Sequence, residues 1–417
     1  MTMPAARDSR SPANGPAPRL AAAGLLACAL ATGGAPALGQ CSWQPLGAGL
    51  DAGISGNAGQ FCLTVYDGKL IAGGPFLTAG GAPARFVAAW DGAAWSALGS
   101  GSGADSSGVM ALTVYGGQLI AGGWITSLDG VTLNKIGAWN GSFWSALGNG
   151  LGTGSPPYAV AAYGADLYAG GQMATSIGGA PANWIAVWNG FSWGPVGSGI
   201  NQRVIALTAY NGELIAAGFF SFGGTSRVAA WDGTAWHGLG SGIGNTVRAL
   251  TVYDGKLIAG GDFTSAGGVT ANRVAAWDGN AWSAVGAGVS QSGFSVNALT
   301  VHNGELVIGG NFTEVGGVSG FNRIAAWDGT AWHTVGTGLG SAVHALTVYN
   351  GDLIAAGAFT SAGGQPAARI AAWVCPPPPP ACYANCDEST TAPVLNVADF
   401  GCFLTRYAAG EAYANCD

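Results

Sequence analysis

The chain has 417 residues, a formal net charge of −7, 8% charged residues, 49% hydrophobic residues, 74 Gly and 16 Trp. Scarce, slightly acidic charge argues against a nucleic-acid partner, because phosphate contacts need clustered Lys and Arg. So much Gly with so much Trp argues against helix bundles, doubly wound α/β folds and disorder, leaving a turn-rich all-β chain.

Taken in order, residues 1–39 read as a secretory signal peptide. Arg7, Arg10 and Arg19 form a basic leader, Leu20 to Ala31 is apolar, and Ala37-Leu38-Gly39 fits a small-x-small cleavage site. The apolar run is too short to cross a bilayer and no later segment is long and apolar enough, so no transmembrane segment is expected. Leu25-Leu26-Ala27-Cys28 also fits a lipoprotein box, less well, and would leave Cys28 lipid-anchored. Cleavage after Gly39 would bring the net charge to −9 and leave seven cysteines. In an oxidising compartment disulfides are the default, and an odd count leaves one thiol free or paired with another chain.

Residues 40–375 are repetitive. One copy runs from Val247 through Leu257-Ile-Ala-Gly-Gly261 and Phe263-Thr-Ser-Ala-Gly-Gly268 to Arg273-Val-Ala-Ala-Trp277 and Trp282. Apolar runs flank Asp254-Gly255, a pair that accepts the positive φ of a tight hairpin turn, and Trp277 and Trp282 flank Asp278-Gly279. Four short strands joined tight, loose, tight make one propeller blade. Third strands carry Trp90, Trp139, Trp188, Trp231, Trp277, Trp327 and Trp373, spaced 43 to 50 residues apart. Fourth strands carry only six matching Trp, and the seventh repeat stops at Trp373-Val374-Cys375. Cys41-Ser-Trp43 matches Thr330-Ala-Trp332, so the fold predicted is a seven-bladed β-propeller closed by an N-terminal strand in its last blade. That placement sets Cys41 beside Cys375 and predicts a disulfide across the chain break; Cys62 has no assigned partner.

Blades 1, 2, 3, 5 and 6 end their second strand with Gly-Gly, from Gly73-Gly74 to Gly309-Gly310; Ala217-Gly218 and Ala356-Gly357 take that place in blades 4 and 7. Double Gly, an aromatic on the third strand and Trp on the fourth resemble the Kelch repeat and related galactose-oxidase-type propellers. The Trp-Asp-Gly third strand and the Phe-Thr-x-x-Gly-Gly segment depart from that family, so the resemblance is Kelch-like. It implies a binding scaffold or, in the oxidase branch, an enzyme.

Both tight turns of a blade fall on one face, and the strand-two-to-three and blade-to-blade connections on the other, where binding residues are expected. Two positions on that rim vary. After the Gly pair stand Trp124, Phe219, Asp262 and Asn311, with Pro75, Gln172 and Ala358 in the other blades; at the third-strand entry stand Trp184, Arg227, Arg273, Arg323 and Arg369, with Phe86 and Lys135. Exposed aromatics beside Arg, Asn and Asp suit sugar stacking or a peptide carboxylate. The alternative is that the Arg residues pack between blades or pair with turn carboxylates.

Catalytic groupings are not apparent. The four His share no metal-ligand spacing, and no Tyr and His group suggests a copper site. Gly190-Phe-Ser-Trp-Gly194 matches a hydrolase pattern without its strand–turn–helix setting. Most Asp residues are turn residues, which leaves few for a glycosidase pair.

Pro376–Pro380 opens a stiff linker, residues 376–381. In the tail, residues 382–417, Leu395-Asn-Val-Ala-Asp-Phe400 resembles the loop-closing segment of dockerin-type repeats. On that resemblance Asp387, Asn396 and Asp399 would bind Ca²⁺, the one cofactor suggested, although the loop is longer than an EF-hand and Thr391-Ala-Pro393 stands where Asp-Gly belongs. A disulfide-stapled module without metal is the other reading. The whole reads as a secreted or cell-surface binding protein whose loop face holds a glycan or protein and whose tail attaches to a partner or the cell envelope. A carbohydrate-active or oxidase-like enzyme and a structural component of an extracellular matrix are the competing classes.

Overall fold

A computed structural model describes residues 41–376, except 52, 54–59, 100–107, 153, 174–175, 178–179 and 291–292. The expected signal peptide with Cys28, the expected linker beyond Pro376 and the tail with Asp387, Asn396 and Asp399 lie outside the described residues. Every regular element described is a strand, and none is a helix long and apolar enough to cross a membrane.

Seven four-stranded antiparallel sheets form the ring. Blade 1 is Cys62–Tyr66, Lys69–Gly73, Val87–Trp90 and Trp95–Ala97. Blade 7 joins Val343–Tyr349, Asp352–Gly357 and Ile370–Val374 to the N-terminal Ser42–Pro45, with Trp43 opposite Trp373. The first strands pack on one another around the axis, first on last included. Second and third strands are covered on both sides, which is why they read as unbroken apolar runs: Leu70, Ile71, Ala72, Val87, Ala88 and Ala89 are all buried.

The core is seven layers, one in each gap between neighbouring blades. Blades meet through small Ala and Gly, and each gap is pinned by the same bond. The fourth-strand indole donates its Nε1–H to a carbonyl of the preceding blade: Trp95 to Leu46, Trp144 to Leu98, Trp282 to Leu239, and likewise around the ring at 2.9–3.3 Å. Trp43 makes it to Val335, so the gap entered by the N-terminal strand is built like the others. A second bond joins blades at the tight turns, where the last residue of a first strand donates to the next blade's turn. Tyr66, Tyr115, Tyr163, Tyr210 and Tyr349 use the hydroxyl, and His302 uses Nε2 on Gly351 in the same place.

Two turn chemistries alternate on this face. Asp67-Gly68 and Asp254-Gly255 take positive φ at both positions, as expected of a tight hairpin. The third-to-fourth turn is a four-residue loop held by an acid or amide: Asp278 Oδ1 accepts the N–H groups of Asn280 and Ala281, and Asn140 does the same for Ser142 and Phe143. In blade 7 that loop is broken, and the Cys41–Cys375 disulfide stands in its place.

The connection from second to third strand departs from the loose loop expected. Six blades insert a two-residue-a-side hairpin there, such as Thr78–Ala79 with Ala82–Pro83, turned by Gly80-Gly81 at φ 61° and 84°. In blade 4 it fuses with the blade into strands Glu213–Phe222 and Thr225–Trp231. The Gly pair of Phe-Thr-x-x-Gly-Gly is therefore a turn signal of its own.

Candidate functional site

The loop rim is assembled from three positions per blade. In blades 2 to 7 the first strand carries a bulge at its rim end: Val247 pairs with Gly261 and Ala249 with Gly260, leaving Arg248 unopposed. The unopposed residues are Met110, Tyr158, Ile205, Arg248, Asn297 and His344, and Phe61 matches them in blade 1. The bulge sets this residue beside the one after the Gly pair, and the third-strand entry lies across from both. The second residue of the pair is Gly in all seven blades, and in blades 2 to 7 the bulged strand crosses over it: a Cβ on Gly261 would lie 2.1 Å from Thr246 O.

The third-strand entry is left-handed in every blade, with φ of 63–80° at Phe86, Lys135, Trp184, Arg227, Arg273, Arg323 and Arg369. Its N–H and C=O bond the strand leaving the Gly pair, as Arg273 does with Phe263 O and Gly261 N. This twist ends the blade ladder and starts the small hairpin. Non-glycine residues seldom adopt it, so each entry side chain occupies a strained backbone position.

Several predicted side chains turn inward. Arg273 is buried, donating to Phe294 O at 2.8 Å and Val289 O at 3.0 Å. Arg323 donates to Asn311 O, and Arg227 to Phe220 O. They hold carbonyls rather than turn carboxylates. Trp184 packs against the core between blades 3 and 4, and Arg369 is half-buried at the matching position of blade 7.

What remains at the rim is lopsided. On blades 2 to 4 each blade offers an aromatic ring with a cation against it. Lys135 Nζ lies 4.7 Å from the Trp124 ring centre, Arg203 5.4 Å from Tyr158, and Arg227 4.5 Å from Phe219, which is 43% exposed. On blades 5 to 7 the bulge residues are polar, and so are the residues after the Gly pair in blades 5 and 6. Arg248 grips Asp262 with two bonds, 2.7 and 2.9 Å. Asn311 Oδ1 accepts from Ser295 N, and Asn297 donates to Val343 O. His344 stacks near Phe61, its Nδ1 buried without a partner, and burial holds its pKa below the usual range, so the ring is neutral at pH 7.

The bulge residues were missed in the sequence, yet a signal was there. One position of the repeat reads Phe, Met, Tyr, Ile, Arg, Asn, His while Leu-Thr two residues later recurs in most blades. Among the described residues no group of three His, Cys, Asp or Glu converges as a metal site. Cys62 is a free thiol, and burial pushes its pKa up, which keeps it protonated.

A family model described as a β-propeller domain of unknown function, DUF5122, matches residues 254–275, from the first tight turn of blade 5 through the small hairpin to its third strand. Among curated proteins no sequence matches. In fold the chain is similar to the extracellular domain of BT4673 from B. thetaiotaomicron, with 9% identity, 80% of this chain and 40% of that one covered, and a TM-score of 0.50. This chain thus spans about two-fifths of the length of that extracellular domain. It is also similar to the WD40 β-propeller domain of Doa1 (14% identity, 80% and 96% covered, TM-score 0.47) and to the computationally designed Ika8 protein (15%, 79% and 99%, 0.45). The chain is a seven-bladed β-propeller.

Proposed function

We propose that the protein is a non-catalytic binding protein whose loop rim holds a glycan. The observation that carries this reading is the run of cation-backed aromatics on three consecutive blades: Trp124 and Phe219, each following its Gly pair, and Tyr158 at the bulge of blade 3. Rings offered by successive blades suit a chain of sugars, each offering an apolar face, and the polar residues of blades 5 to 7 supply directional bonds. Rigidity matters because a preformed surface loses little entropy on binding.

Export supports the same reading: the Cys41–Cys375 disulfide belongs to an oxidising compartment. The Gly pair and paired Trp keep the Kelch-like description as our proposal for repeat type. For the tail we propose a dockerin-like attachment segment with Asp387, Asn396 and Asp399 as Ca²⁺ ligands, which calorimetric titration of the full chain with Ca²⁺ tests; a flat trace removes it.

The main test is a glycan array probed with the wild-type chain and with Trp124→Ala/Phe219→Ala. Binding by the first and its loss in the second supports the proposal. An array that the folded wild-type chain leaves blank overturns it.

A further inference from the structure

The two faces of the ring carry opposite charge. Of the ten Lys and Arg between residues 41 and 376, only Lys69 and Lys256 lie at the tight-turn face; the other eight sit on the loop face. Of the fourteen described Asp and Glu, only Asp51, Asp129, Asp262 and Glu314 lie on the loop face; the other ten lie at tight turns or at the starts of second strands. One more carboxylate of this stretch, Asp105, lies outside the described residues. An acidic protein thus presents its cations on one side.

Turn chemistry accounts for much of the acidic side, since Asp accepts the N–H groups of the third-to-fourth turns. Asn fills the same role in blades 2 and 3, so folding does not require the charge. Nothing comparable explains the other face. Holding a carbonyl, as Arg227, Arg273 and Arg323 do, could be done by a neutral amide. Five of the seven entry residues are nonetheless cations, at a backbone conformation that disfavours any side chain except that of Asn or Asp.

We infer that the loop face binds an anionic polysaccharide, one whose sugars carry carboxylates, with Arg248 on blade 5 as the residue that meets the acid group and the aromatics of blades 2 to 4 as the surface for the rings. This rests on the glycan reading above and narrows its ligand class. Arg248 already grips a carboxylate in the two-bonded manner that a uronate would adopt, and that carboxylate, Asp262, is on its own blade. Asp262 therefore acts as a resident stand-in that a ligand carboxylate would join or displace. The surrounding cations raise the local concentration of a polyanion, and salt weakens that effect. A run of aromatics beside the cations favours a sugar polymer over an acidic peptide.

The experiment titrates the full chain with polygalacturonate, with the same polymer methyl-esterified, and with polyaspartate, each at low and moderate salt. Expected is binding of polygalacturonate roughly tenfold tighter than of the esterified form, the span of one charge-assisted contact, and weaker at higher salt. Arg248→Gln should remove most of that preference. Asp262→Asn should strengthen binding, and Lys256→Gln on the opposite face should leave it unchanged; thermal melts establish that each variant is folded. Equal binding of charged and esterified polymers, unmoved by Arg248→Gln, overturns the inference and leaves glycan binding standing. Polyaspartate bound as tightly as polygalacturonate overturns the polysaccharide assignment. A chain that binds neither sugar polymer and leaves the array blank overturns both readings.

Discussion

The indole of Trp43 lies 5.5 Å from that of Trp373, tilted by 52°, although 330 residues separate them. Trp90 and Trp95, five residues apart in blade 1, stand at 5.5 Å and 49°. The ring is thus closed by the pairing that builds every blade, and closure is as strong or weak as any other blade's outermost strand pair, plus one covalent bond.

That bond should be worth measuring. The disulfide spans 334 positions, and the loop-entropy argument assigns roughly 5 kcal/mol to such a closure. Equilibrium unfolding in guanidinium of Cys41→Ser/Cys375→Ser should show a loss of that order. A loss under about 1 kcal/mol would mean that the unfolded chain without the bridge is already restricted by residual structure, so that the bridge removes little further entropy.

The indole latch gives a second expectation. Trp144 is 1% exposed, and its Nε1–H meets Leu98 O at 2.9 Å. Trp144→Phe keeps most of the apolar contact but leaves that carbonyl buried and unpaired, at a cost of about 1–3 kcal/mol. Thermal unfolding of this variant should fall well below that of Phe191→Ser, whose 90% exposed ring touches little. Equal melting points would remove the latch as a stabilising device.

The glycine pair predicts an asymmetry. Gly260→Ala places a methyl 2.7 Å from Val296 Cγ1, a side-chain atom rather than backbone, and blades 4 and 7 already carry Ala there. Gly261→Ala drives it to 2.1 Å from Thr246 O and 3.0 Å from Val247 Cα, both backbone atoms. The first variant should lose about 1 kcal/mol or less, the second several, the scale of overpacking against atoms that cannot move aside. Denaturant midpoints of the two variants compare them directly.

Two histidines should titrate in opposite directions. Glu213 accepts a bond from His237 and raises its pKa, so the pair's contribution is present below pH 6.5 and fades as pH rises through the raised value. Burial lowers the pKa of His344, so its neutral form is favoured in the fold and stability is lost as pH falls below 6.5. NMR titration should place the two on either side of the ordinary value. Lower still, backbone N–H groups and Thr330 hold Asp328 down to about 2, so its contribution is kept above pH 3.8 and lost as pH falls toward 2. Asp328→Asn keeps the turn acceptor, as Asn140 does, and should flatten melting temperature against pH in that lowest window.

Blade number, strand order and the site of closure were legible because each blade repeats its own local instructions. Asp-Gly turns, paired Trp and apolar second strands all act within some 45 residues, and the orphan Trp43 had one vacancy to fill. The small hairpins were legible in principle, from Gly80-Gly81 and its equivalents, but Gly elsewhere in the repeat masked them.

The sequence by itself determined the propeller, because turn and strand chemistry is local and seven copies outvote any irregular one. Only the tertiary structure decided which side chains face out from the loop rim. A bulge and a left-handed entry residue depend on how strands cross, so they turned Arg273 onto carbonyls and raised Tyr158 and Arg248 into the rim. The separation of charge between the faces follows from the same repeat, which sets Asp at the tight turns and Arg at the third-strand entries, but only folding gathers the two sets onto opposite faces.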